Sequence, residues 1–249
     1  MVSLSIVIPA YNEQRRLPAT LKAVNAYLRS SSWQSYEVLV VDDGSSDETP
    51  ARVNDFSSDH DYCRLLENPG NRGKGYSVRR GMLETRGEWV LFTDADLSAP
   101  IEEVDKLAAA ARQHHAALAI GSRALDRALI GVHQSRFREW AGRLFNLLMQ
   151  TLTGLRYWDT QCGFKLFRGD AAREIFSRQR IVRFGFDAEV LFIARRMGFH
   201  GVEVPVRWNH SEGTKVRMLG DSFDMFTDLL RIRWNHLLGR YSRPFSWRP

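Results

Sequence analysis

Two carboxylates, Asp94 and Asp96, stand two residues apart directly after the apolar run Trp89–Thr93. Along an extended segment, residues i and i+2 project to the same side, so both carboxylates can converge on one cation. Hard oxygen ligands of this kind favour Mg2+ or Mn2+, which would bridge the two phosphates of a nucleotide diphosphate. An isolated Asp-x-Asp is more often a solvated loop with helix-start acids. Its place here, after a buried-type strand and beside a second acidic strand end, favours the metal. That second end is Asp42-Asp43-Gly44-Ser45, after Glu37–Val41, and a third is Pro9-Ala10-Tyr11-Asn12-Glu13, after Leu4–Ile8. In open parallel sheets ligands bind beyond the carboxyl ends of the strands, so all three would fall on one rim. An aromatic and several carboxylates on one rim suit a nucleotide base, a ribose and a metal. Asp42 is the better candidate for ribose or base. Asp43-Gly44-Ser45-Ser46 also reads as a turn and N-cap, with Asp43 and Asp47 as helix-start acids.

The glycine-rich Asn71-Arg72-Gly73-Lys74-Gly75 is not one of the common phosphate loops. GxxxxGK[ST] does not occur, and Gly73-x-Gly75 is followed by Val78 where a dinucleotide fingerprint requires glycine. The segment reads as a turn into a helix, with Lys74 either offered to the nucleotide or simply solvated. The seven histidines show no HExxH or comparable ligand spacing, so a zinc site is rejected. No GxSxG elbow or Cys-His signature supports nucleophilic hydrolysis.

The elements that must position these residues alternate, as βαβ units do. Leu4–Ile8, Glu37–Val41, Arg64–Leu66, Trp89–Thr93 and Leu118–Ile120 read as strands. They are continuous apolar runs, as expected of parallel strands covered on both faces. Leu17, Leu21, Val24 and Leu28 form a helical stripe; Ser45 with Glu48 makes a capping box, and Ser98 with Pro100 introduces another helix. After Ser122 a basic stretch (Arg123, Arg127, Arg136, Arg138, Arg143) leads into a helix near Arg138–Leu152. A strand at Gly163–Phe167, a helix near Ala188–Met197, a strand at Val202–Trp208 and an amphipathic helix from about Leu219 to Leu238 follow. No repeat or linker interrupts the chain. The expected fold is α/β, one domain with a mostly parallel sheet flanked by helices.

Composition bounds the class. At 249 residues the chain can bury one sizeable core, and 44% hydrophobic with 26% charged residues excludes wholesale disorder. Two cysteines, Cys63 and Cys162, are too few for a disulfide framework or a thiolate zinc site, which points to a reducing compartment. The opening MVSLSIVIPAYNE reads as a first strand and not a signal peptide. No window reaches the roughly 18 apolar residues that a spanning helix needs. The net charge of +6 is concentrated. From Leu229 onward there are five arginines and no acidic residue, interleaved with Trp234, Tyr241, Phe245 and Trp247. That segment is either a solvated, partly frayed tail or a membrane-surface anchor.

SIVIPAYNE, VVDDGSSDET, NRGKG, TDADLS and AIGSR, in this order, resemble family 2 inverting glycosyltransferases of the GT-A fold. The resemblance covers roughly the first 125 residues. DTQCGFKLF, FGFDAEVLFIAR and VEVPVRWNHSEGTKV look like the dolichyl-phosphate glucosyltransferase branch, a relative of the dolichyl-phosphate mannose synthases. The resemblance implies transfer of a hexose from UDP-glucose or GDP-mannose to a polyisoprenyl phosphate, with Mg2+ or Mn2+, by a peripheral protein on the cytoplasmic face of a membrane. It places Pro9, Tyr11 and Glu13 on the nucleotide, Asp42 near the base or ribose, and Asp94 and Asp96 on metal and diphosphate. Arg123 and Arg138 would bind the acceptor phosphate, and Arg207 and Lys215 the donor or acceptor phosphates. The mannose synthases place a serine about a turn after the helix arginine, where this chain has Gly142. Residues 1–218 form the implied transferase domain, 1–122 its nucleotide-sugar half and 123–218 its acceptor half; 219–249 form a basic amphipathic helix and tail.

Inversion requires in-line attack opposite a departing diphosphate, so cations are needed where its charge develops. A phosphate monoester, with a second pKa of about 6, is already largely ionised at neutral pH and needs arginines to place it more than a base to activate it. Arg127, Arg136 and Arg143 fit that role or are solvent-facing helix charges. A hydroxyl acceptor would instead need a carboxylate base, for which Asp187 and Glu189 are candidates, unless they only organise the site. Gln161, Cys162 and Gly163 are candidates for the sugar pocket. Leu144, Leu147, Leu148 and Leu152 make a stripe that is either core or a face for the acyl chain. The rival from another class, a nucleotide- or nucleic-acid-binding protein, leaves the paired carboxylates unexplained.

Overall fold

A computed structural model describes residues 2–126, 128, 147, 149–209 and 218–245. Seven strands form one sheet: β1 (Leu4–Ala10), β2 (Tyr36–Asp42), β3 (Cys63–Glu67), β4 (Trp89–Thr93), β5 (Leu118–Ser122), β6 (Phe164–Arg168) and β7 (Gly201–Pro205). Their order is β3-β2-β1-β4-β6-β5-β7. All ladders are parallel except those of β6, which runs antiparallel to both β4 and β5. The carboxyl ends of the other six strands therefore share a rim with the amino end of β6. Pro9 is tolerated in a central strand because the β1–β4 ladder ends at Val7, before the missing N–H is needed.

Among the described residues seven helices cover the sheet: α1 (Leu17–Ser30), α2 (Thr49–Ser58), α3 (Lys74–Glu84), α4 (Glu103–Gln113), α5 (Gly169–Phe176), α6 (Phe186–Arg196) and α7 (Met218–Leu237). The stripe of α1 is fully buried on one face of the sheet with Ile6, Ile8, Leu91 and the inner side of α4. Each such leucine contributes about 1.5–3 kcal/mol by leaving water. The other face buries Val7, Phe92, Phe167 and Phe186, together with Leu229 and Ile232 of α7. No helix of the described residues is long and apolar enough to cross a membrane.

Two expectations fail locally. Ser45 does not cap α2: its hydroxyl donates to the Asp42 carboxylate and accepts from the Asn12 N–H at 2.8 Å, and the helix begins only at Thr49. The tail is not frayed as far as residue 245. Tyr241 is buried with its hydroxyl donating to Glu189 at 2.7 Å, and the Phe245 N–H donates to the Ser177 carbonyl at 2.7 Å. Of the stripe near Leu152, Leu144 and Leu148 lie outside the described residues, Leu147 is exposed, and Leu152 packs against the core.

Candidate active site

The rim is built from loops sewn to one another. Asn12, at φ 52°, accepts from the Ser46 N–H at 2.8 Å, the Glu13 N–H donates to Thr49 Oγ1 at 2.7 Å, and the Gln14 N–H donates to Asp47 at 3.2 Å. The loop after β1 is thus fixed to the loop after β2. Glu13 is buried and holds Arg16 through two hydrogen bonds of 2.7 and 2.6 Å, while Tyr11 stands partly exposed at the mouth. Asp42 is buried and accepts from the Gly44 and Ser45 N–H groups at 3.1 and 3.0 Å, so it shapes its own loop.

Asp43 does more than start a helix. Its buried carboxylate accepts from Asn68 and from the Arg72 and Gly73 N–H groups at 2.9, 2.9 and 2.8 Å. It therefore holds the glycine-rich turn. Gly73, at φ 100°, is the residue that allows this turn, since a β-carbon there would stand 2.5 Å from the Val182 carbonyl oxygen. Lys74 then opens α3 with its ammonium at the rim.

Lys74 Nζ lies 2.7 Å from Asp94 Oδ1. Burial would lower the Lys74 ammonium, but Asp94, Asp187 and Asp96 outweigh it and raise its pKa. The reason given by sequence for the Asp94/Asp96 pair does not hold. Residues 94–97 turn instead of extending, with the Leu97 N–H donating to the Asp94 carbonyl at 3.2 Å and Leu97 at φ 45°. Asp96 accepts from the Ser98 N–H at 3.0 Å. Both carboxylates nevertheless lie beyond β4 and act on the charge of Arg16 as well as Lys74. Gly163 leaves room for the Asp94 carboxylate itself, since a β-carbon there would be 2.0 Å from Asp94 Oδ2. Among the described residues no three potential metal ligands cluster.

Behind this pair sits a second one. Lys165, fully buried in β6, donates to Asp187 at the start of α6 and to the Cys162 carbonyl at 2.5 Å. Burial raises the Asp187 pKa, opposed by Lys165 and Lys74. Lys74 and Lys165 both lie over the Phe92 ring, at 5.4 and 5.6 Å from its centroid. Glu189 is not part of the site. Two residues further along α6, it is turned away and accepts from the Arg180 and Ile181 N–H groups at 3.0 and 2.8 Å.

On the β5 side, Arg123 grips Asp159 with Nε to Oδ2 at 2.7 Å and Nη2 to Oδ1 at 2.8 Å, and lies over Trp208 at 4.8 Å. Burial would raise the Asp159 carboxyl, yet Arg123 holds it below the usual range. Arg207 is engaged with Glu103 of α4, which is fully buried and also bonded to Lys106 at 2.6 Å. The guanidinium, about half exposed, faces the carboxylates of Glu103 and Glu102. Arg127, Arg136, Arg138, Gly142, Arg143, Lys215 and Trp247 lie outside the described residues.

Sequence reasoning missed Lys165, Asp159 and Glu103. The lysine had a signal, because an ammonium within the apolar run Phe164-Lys165-Leu166-Phe167 has to find a buried anion. The partners of Arg123 and Arg207 are 36 and 104 residues away and leave no local signature.

A family model described as Glycosyl transferase family 2 matches residues 5–176. The chain is 36% identical to a dolichyl-phosphate beta-glucosyltransferase of Dictyostelium discoideum, over 96% of this chain and 76% of that protein. It is also 36% identical to the Homo sapiens dolichyl-phosphate beta-glucosyltransferase, over 96% and 77%. Among solved structures it resembles glucosyl-3-phosphoglycerate synthase from Mycobacterium tuberculosis in complex with UDP. The TM-score is 0.63 at 21% identity, over 98% of this chain and 82% of that one. Mannosyl-3-phosphoglycerate synthase from Rubrobacter xylanophilus gives 0.66 at 18% identity, over 100% and 78%.

Proposed function

The chain belongs to glycosyl transferase family 2, and on that footing we propose that it transfers glucose, with inversion, from UDP-glucose to a polyisoprenyl phosphate of the dolichyl type. Glucose and the lipid phosphate follow the names of relatives aligned over nearly the whole chain. UDP follows the Mycobacterium tuberculosis synthase, which was solved with Mn2+ and UDP-glucose. The protein works at the surface of a membrane, on the cytoplasmic face, where its two free thiols persist.

Tyr11 and the Pro9–Glu13 loop flank the nucleotide, with the Asp42 loop at the ribose or base. Asp94 and Asp96 would hold Mg2+ or Mn2+, which would supply positive charge to the departing diphosphate. Lys74 adds a second cation to the same phosphates. Gln161 Nε2, buried without a partner at the entry of β6, is a donor for a sugar hydroxyl. Arg123, held rigid by Asp159, receives the acceptor phosphate together with Arg138. Arg207 reaches a phosphate only by leaving Glu103, alongside Lys215.

One observation carries the choice of a phosphate over a hydroxyl acceptor. Asp187, the candidate base, is buried and committed to Lys165. A hydroxyl nucleophile would lack that base, whereas an ionised phosphate needs none. The test is incubation with UDP-[3H]glucose, a short polyprenyl phosphate and Mn2+, followed by organic extraction. Label in the organic phase supports the reading, and label remaining aqueous contradicts it.

A further inference from the structure

Helix α7 is apolar on two sides. Leu229 and Ile232 are buried against α6, as a surface helix requires. On the opposite side Phe226, Leu230, Trp234 and Leu237 succeed one another at about one-turn spacing, with Leu238 directly after the helix end. All five are exposed, Trp234 at 61% and Leu237 at 71%. A helix that only covered a core would present polar groups outward; a continuous exposed apolar stripe marks an interaction surface.

The charge around the stripe identifies the partner. Arg231 and Arg233 border it on either side, and both are exposed, Arg231 with one hydrogen bond of 2.9 Å to Asp228. Arg233 and Arg196 both act on His236, whose pKa burial and these two charges lower, so a second helix adds to the positive border. From Leu229 to the end of the chain there is no acidic residue. A second copy fits badly, because a two-fold contact would set these arginine borders against each other. An anionic lipid surface fits both parts: leucines and aromatics enter the acyl boundary, tryptophan sits at headgroup depth, and arginine stems lie along the apolar layer with their charges at phosphate.

We propose that the Phe226–Leu230–Trp234–Leu237–Leu238 face of α7 docks on the surface of an anionic membrane, and that this docking presents the rim to a lipid-borne acceptor. The connection is direct. Asp228 of α7 packs on Gly185, where a β-carbon would be 2.4 Å from Asp228 Cβ. Gly185 belongs to the 181–186 segment, whose Val182 and Ile181 carbonyls close on Gly73 and Gly75 at the nucleotide rim. The same short segment seats the docking helix and walls the site. The second half of the proposal rests on the lipid-phosphate reading above; the first half does not.

The test is co-sedimentation of the whole chain with phosphatidylcholine vesicles, with and without phosphatidylglycerol and with no polyprenyl phosphate. The proposal expects binding to the phosphatidylglycerol vesicles only, reversed by high salt. Trp234→Ser with Leu237→Ser weakens it about tenfold or more, and so does Arg231→Glu with Arg233→Glu. Circular dichroism melts and transfer to a short water-soluble isoprenyl phosphate without vesicles are expected to match wild type in both variants. Wild type that ignores anionic vesicles at low salt overturns the docking surface, and so do variants that bind like wild type. Sedimentation equilibrium showing a dimer abolished by Trp234→Ser with Leu237→Ser, without vesicle binding, assigns the face to a second copy and also overturns it. Loss of soluble-acceptor transfer in wild type contradicts the acceptor reading alone and leaves the vesicle result standing.

Discussion

Gly163 lies against Asp94 so closely that a β-carbon would stand 2.0 Å from Oδ2. The antiparallel strand β6 enters the sheet where the parallel strand β4 leaves it, and the carboxylate occupies the room that a side chain would take. Gly163→Ala therefore has to move Asp94 by an ångström or more. A displacement of that size costs about a hundredfold in transfer rate while the fold persists. Steady-state transfer, read beside a circular dichroism melt, checks this; near-normal turnover would show that Asp94 is not held in its working position.

Lys74 pairs its ammonium with Asp94 Oδ1 at 2.7 Å. A cation held by Asp94 would compete with that ammonium for the carboxylate, and Lys74 would add positive charge beside the diphosphate. Lys74→Gln is expected to tighten Mn2+ binding by about tenfold without nucleotide, because a competing charge is gone. Transfer falls about a hundredfold in the same variant, because a cation on the leaving group is gone. Electron paramagnetic resonance titration of free Mn2+ reads the first effect; weaker Mn2+ binding would reverse this assignment.

Arg123 and Asp159 form a two-pronged pair with Asp159 buried. Asp159→Asn leaves a half-buried guanidinium short of its charge partner and is expected to cost about 2 kcal/mol in urea unfolding. The carboxyl is held below its usual range, so its contribution is present above about pH 4 and fades as pH falls through the native value. Arg123→Met together with Asp159→Asn should recover part of the loss. A single variant as stable as wild type would remove Asp159 as the support of Arg123.

Much of this architecture was legible in residue runs. Trp89–Thr93 is the strand β4 residue for residue, because four consecutive apolar side chains followed by a threonine suit a position covered on both faces. The direction of β6 was not legible, since an apolar run is the same read either way, and only the β4 and β5 ladders reveal it. Ser45 and Glu48 had the spacing of a capping box, but Asp42 is a nearer and charged acceptor for the serine hydroxyl. In the site, the rim acids and the cations Lys74, Arg123 and Arg207 were visible, and their pairings were not. Lys165, Arg123 and Arg207 meet Asp187, Asp159 and Glu103 through contacts that only the folded chain creates.

Glu189 predicts a pH effect away from the chemistry. It is fully buried under Tyr241, and burial pushes its carboxyl from 4.5 up to about 7. The native state therefore binds a proton that the unfolded chain has released between these values. Stability is highest below the lower value and declines as pH rises to the upper one, by on the order of 3 kcal/mol. Glu189→Gln should flatten that decline. Urea unfolding of both proteins at pH 5 and pH 8 checks it, and parallel pH profiles would contradict it.

The account stands on a phosphate nucleophile that needs placement and no base, in a site whose candidate base Asp187 is tied to Lys165. The most direct measurement offers the same short polyprenyl chain in two forms, as the monophosphate and as the free alcohol, with UDP-[3H]glucose and Mn2+. Labelled lipid is expected from the monophosphate and none from the alcohol, with the signal lost in Asp94→Ala. Equal labelling of the alcohol, or labelling of the alcohol alone, would contradict it.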